Sequence, residues 1–70
     1  MDINEFKTVA EWYKKMKADG YAVPLALYFT LERMVKEKKI TFQQAYNELF
    51  ENKRVKIVDK NIIFELNDSR

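Results

Sequence analysis

The chain has 70 residues, of which 47% are hydrophobic and 14% aromatic, and its 13 Lys+Arg against 11 Asp+Glu leave a formal charge of +2. Having no Cys and no His, it can form no disulfide and lacks the thiolate and imidazole ligands that build most zinc sites, the thiol nucleophile and the commonest general base. A single Gly also rules out a glycine-rich phosphate loop, and the mild net charge does not by itself mark a nucleic-acid binder.

The N-terminal residues Met1 to Glu5 contain no basic segment leading into an apolar run, so the sequence predicts no signal peptide. The longest apolar stretch, Tyr21 to Leu31, is interrupted by Pro24 and Thr30 and is too short to span a bilayer. The expected location is therefore the cytoplasm, with no membrane partner.

A first helix is expected to start at Asp2, which with Glu5 three residues later forms an Asp-x-x-Glu capping pattern. Ile3, Phe6, Val9, Ala10, Tyr13 and Met16 then recur at helical spacing, and Gly20 supplies a left-handed stop. On this wheel Trp12 falls beside the stripe. A second helix opens near Pro24, whose fixed φ suits a first turn, and runs to the Lys36-Glu37-Lys38-Lys39 segment. Its first half is apolar on nearly every face, which predicts a path through the centre of the fold.

The third helix carries the clearest start signal. Thr41 is the N-cap, Gln44 completes the capping box, and Ile40 stands where a hydrophobic staple belongs. Phe42, Ala45, Tyr46, Leu49 and Phe50 form its buried stripe. The pattern then switches from helical to alternating. Arg54 to Val58 and Ile62 to Leu66 read as two strands around Asp59-Lys60-Asn61. A turn centred on Lys60-Asn61 pairs Val55 with Leu66, Ile57 with Phe64 and Lys56 with Glu65, and leaves Val58 and Ile63 paired on the outer face.

The expected architecture is thus α+β. Three helices are followed by a C-terminal β-hairpin packed on them, in one domain over residues 1–66 with a frayed tail at 67–70. This order resembles that of winged-helix domains, with Thr41 to Leu66 similar to a third helix and its wing. The resemblance implies nucleic-acid binding through Lys53, Arg54, Lys56 and Lys60, which would lie on or beside the wing. Against it, the third helix has no Lys or Arg between Thr41 and Asn52, whereas a recognition helix presents basic and polar groups to the groove. The groups Lys14, Lys15, Lys17 and Lys36, Lys38, Lys39 sit at helix ends, where cations complement the dipole.

No catalytic constellation is legible. Ser69 is the only serine, in a polar tail, and the carboxylates Glu48 and Glu51 read as a solvated helix face. The expectation is a non-enzymatic protein with no metal, no cofactor and no small-molecule substrate. Its aromatic surplus is hard to house in so small a core. Trp12, Tyr21, Phe29, Val58 and Ile63 are therefore the candidate contact residues of a protein-interaction module, self-association included. Nucleic-acid binding by the basic hairpin is the alternative.

Overall fold

A helix begins where a side chain can satisfy its first free N–H groups, and Thr8 does this for the first helix of the chain. In the computed structural model, which describes residues 3–65, a short 3-10 turn at Ile3–Glu5 precedes helix α1 at Val9–Ala18. The Glu11 N–H donates to Thr8 Oγ1 at 3.1 Å, and the Lys7 N–H donates to Glu11 Oε1 at 3.0 Å. The expected start at Asp2 is corrected: Ile3–Glu5 forms a separate turn, Thr8 is extended, and Asp2 itself lies outside the described residues. At the other end Gly20 takes φ +91°, while the Tyr21 N–H reaches Met16 O and the Gly20 N–H reaches Lys17 O, both at 3.0 Å. This is the paired hydrogen-bond closure of a Schellman motif.

Helix α2 follows at Leu25–Lys38 and helix α3 at Phe42–Glu51. Pro24 is the N-cap of α2 and offers no side-chain cap, whereas Thr41 and Gln44 form the expected capping box on α3. Replacing Thr41 with Ala should cost about 0.5–2 kcal/mol. Urea denaturation would show this as a lowered midpoint with an unchanged slope. The chain then enters strands β1 (Val55–Val58) and β2 (Asn61–Phe64), an antiparallel pair. Three helices followed by this hairpin make the expected α+β arrangement. Helix α2 packs against α1 and α3, and α3 against β1.

The hairpin register differs from the sequence expectation by two residues. Val55 pairs with Phe64, Lys56 with Ile63, Ile57 with Ile62 and Val58 with Asn61, so the turn is Asp59-Lys60. Asp59 meets that turn with φ +57°. A two-residue slip preserves which side chains share a face. Val55 and Ile62 are accordingly buried and Phe64 packs against the core, while Val58 and Ile63 remain on the outside. They are diagonal neighbours, not a direct pair. Glu65 pairs its backbone with Arg54, not Lys56, and Leu66 lies outside the described residues, as does the tail at 67–70.

The linker between α1 and α2 adds to the sheet, a feature that the alternation of the hairpin alone does not reveal. The Ala22 N–H donates to Lys60 O at 2.8 Å, and Ala22 O accepts from the Ile62 N–H at 3.1 Å. A parallel bridge between Ala22 and Asn61 results, so Val58, Asn61 and Ala22 lie in one row across three backbones.

The core is centred on Trp12, which is 0% exposed. Its ring meets Phe42 at 5.7 Å and Tyr46 edge-on at 5.6 Å, separations at which aromatic pairs attract beyond simple burial. Met16, Leu27, Leu31, Phe42 and Leu49 complete the fully buried set. The expectation that Trp12 stands beside the stripe is corrected. Phe6, Val9, Trp12 and Met16 line the core, and Tyr13 is only half-buried. Burial, with a smaller contribution from Tyr21, pushes the Tyr46 phenol from 10.0 up to about 12. The fold therefore favours the neutral phenol. The stabilisation is complete below the unfolded value near 10.0 and is lost as pH rises towards about 12. A urea midpoint that falls across this window, less steeply in Tyr46→Phe, is the expected result.

A candidate contact surface on helix α2 and the hairpin

Four buried residues of α2, Leu27, Thr30, Leu31 and Met34, define one side of that helix. The opposite side carries Leu25, Phe29, Glu32 and Lys36, spaced four, three and four residues apart and all exposed. Leu25 is 57% exposed and Phe29 58%. The expected passage of α2 through the centre of the fold is thereby corrected: α1 and α3 cover one side, and the apolar residues of its first half on the other side face out. Phe29 was legible as a surplus aromatic. Leu25 was missed, although its four-residue spacing from Phe29 and its position opposite Leu27 and Leu31 were there to find it.

Phe29 ends a row of rings that crosses from α1. The Lys17 ammonium lies 5.7 Å from the Tyr13 ring centroid, Tyr13 stands 4.8 Å from Tyr28, and Tyr28 stands 5.4 Å from Phe29. Partial burial of the Tyr28 phenol, then its hydrogen bond to Glu32 and that carboxylate's charge, hold it above its usual range.

On the hairpin, Val58 is 52% exposed and Ile63 44%, with Lys56 beside them and Ile57 at the edge. Val58 lies in the row of the Ala22 bridge. Leu25 follows Ala22 by three residues and so lies within about 11 Å of it along the chain. Tyr21 is half-buried against the core, with the Lys60 ammonium 4.5 Å from its ring centroid. Of the sequence-derived apolar set, Phe29, Val58 and Ile63 are exposed, Tyr21 is half-buried, and Trp12, with no exposed surface, is a core residue and offers no contact.

The four basic hairpin residues are not gathered at one point. Lys53 closes α3 at φ +61°, and Arg54 lies 5.5 Å from the Phe64 ring centroid with its Nε donating to Glu65 O at 3.1 Å. Lys56 is on the outer face, and Lys60 donates to Asp19 O at 2.9 Å at the far turn. The exposed side of α3 adds no cation. Glu48 pairs with Lys38 at 2.9 Å, and the Gln43 amide donates to Phe6 O. No pocket opens among the described residues, which also contain no cluster of three or more acidic groups able to hold a metal ion. No helix among them is long and apolar enough to cross a membrane.

Compared with known protein families, curated proteins and solved structures, the chain finds no match.

Proposed function

We propose that this protein is a non-enzymatic interaction module that contacts other protein through the exposed side of α2, with the outer hairpin face as a second contact. One observation carries the reading. In a chain whose core is already filled by Trp12, Phe42, Leu27, Leu31 and Leu49, two large apolar side chains one helical turn apart, Leu25 and Phe29, stand more than half exposed. Single exposed apolar residues are ordinary, but an adjacent pair at the end of an aromatic row is the kind of anchor that interfaces use. The basic hairpin gains no comparable support, because Arg54 and Lys60 are engaged within the fold and α3 presents no cation beside them.

Site-specific photo-crosslinking in the cells that make the protein tests this. A photoreactive phenylalanine analogue at position 29 should yield one discrete protein adduct, and the same analogue at Glu51 should yield none. Equal or absent adducts at both positions, together with salt-sensitive retention on duplex DNA, would replace this reading by the nucleic-acid one.

A further inference from the structure

The exposed side of α2 also carries its own complement, so that a second copy of the chain fits it. Leu25, Phe29, Glu32 and Lys36 follow the four-three-four spacing of a helix-pairing seam. A parallel pairing of two copies would set Glu32 against Glu32 and Lys36 against Lys36, like charges in contact. An antiparallel pairing centred between Thr30 and Leu31 would press Glu32 and Lys36 of one copy onto Phe29 and Leu25 of the other. Centred instead at the level of Leu27, an antiparallel pairing sets Leu25 against the partner copy's Phe29 and Phe29 against its Leu25, apolar on apolar twice.

That last arrangement also resolves an unbalanced helix end. The first turn of α2 has no acidic residue and no side-chain cap, so the positive pole of its dipole is left uncompensated. Glu32 lies five residues beyond the centre of the pairing. Helical side chains lean towards the N-terminus, which carries the Glu32 carboxylate back towards the preceding turn. It therefore projects to the level of the other copy's first turn, where two-fold symmetry makes the contact twice.

We infer that the α2 surface is a self-association seam, in which two copies pair antiparallel through Leu25 and Phe29 and each Glu32 caps the other's α2. This rests on the interaction reading above and names the partner. Two apolar side chains per copy bury far less than a standard interface, so the pairing is weak, with dissociation on the order of 10⁻⁴ M.

Sedimentation equilibrium from low to near-millimolar concentration should show a reversible monomer–dimer equilibrium. Phe29→Glu should weaken it by at least about tenfold. Glu32→Lys should weaken it by about three- to thirtyfold, the loss of two helix-end contacts. Both positions are exposed, and circular dichroism should report an unchanged fold; Leu25→Ser is the second apolar variant. Because the chain has no Cys, a single spin label on Glu37→Cys is clean. Two such labels should stand about 30 Å apart in the antiparallel pair, against about 10 Å in a parallel one. A monomer at every concentration, with position 29 still crosslinking to a different protein, overturns the second copy and leaves the interaction reading standing. Absence of both self-association and crosslink overturns both. A dimer unchanged by Phe29→Glu and Leu25→Ser, or a short label distance, overturns the seam.

Discussion

Trp12→Ala is expected to lose about 3–5 kcal/mol, the range for truncating a large buried aromatic. Native domains hold about 0.05–0.15 kcal/mol per residue, or about 4–10 kcal/mol for a chain of this length. The substitution would therefore take away much of the total stability and leave a substantial unfolded fraction at ordinary temperature. The cause is local. Trp12 touches Phe42 and Tyr46 together, so its removal opens a hole between α1 and α3 that neither ring can fill without leaving the other. Trp12→Phe should cost less. It keeps an aromatic ring there and deletes an indole N–H that is buried with no hydrogen-bond partner among the described residues. Denaturant unfolding followed by circular dichroism measures both. A loss below about 1 kcal/mol in Trp12→Ala would mean that the indole is not at the centre of the core.

The opposite change is expected at two lysines. Lys39 ends α2 at φ +56° and Lys53 ends α3 at φ +61°, the left-handed region that costs a residue with a Cβ about 1–2 kcal/mol. The N–H groups of Lys53 and Arg54 close α3 onto Phe50 O and Leu49 O, both at 3.0 Å, in the pattern that glycine usually serves. Glycine removes that cost but gives back about 0.5–1 kcal/mol of unfolded-chain entropy. The net expectation is about 0.5–1 kcal/mol per site. Lys39→Gly with Lys53→Gly should add, because the two helix ends are separate. At about 4–8 °C per kcal/mol for a domain of this size, the double variant should melt roughly 4–16 °C higher. A Tm that stays level or falls would contradict the strain.

These strained turns also show where the sequence was readable and where it was not. Helix α3 was legible because Thr41, Gln44 and Ile40 each mark the same boundary. The start of α1 was ambiguous because two patterns compete: Asp2 precedes Glu5 by three residues, and Thr8 precedes Glu11 by the same spacing. Propensity cannot rank them, but packing can. With Thr8 as the cap, Phe6 and Val9 enter the core together with Trp12 and Met16. Trp12 and Tyr13 are equally ambiguous, since positions 12 and 13 both lie about one helical turn from Val9 and from Met16. The hairpin faces were readable because side chains alternate with period two. The register was not, because a shift by two residues preserves that alternation and only the Asp59-Lys60 turn and the Ala22 bridge decide between the two.

The candidate surface was half legible. Phe29, Val58 and Ile63 stand out as apolar residues that a small core has difficulty housing, whereas Leu25 lies in a stretch apolar on nearly every face, where no single side is marked as exposed. An all-apolar first half of α2 fits a central helix or a helix with an unpartnered side. The placement of α1 and α3 along one side of α2 selects the second.

Amide chemical shifts of the labelled protein, followed as its own concentration rises and again on addition of duplex DNA at low salt, test the central claim most directly. The account predicts concentration-dependent shifts centred on residues around Leu25 to Arg33, with Lys53, Arg54 and Lys60 unmoved by either titration. Shifts that instead cluster at Lys53, Arg54, Lys56 and Lys60 on adding DNA and vanish with salt, with Leu25 and Phe29 silent throughout, would contradict it.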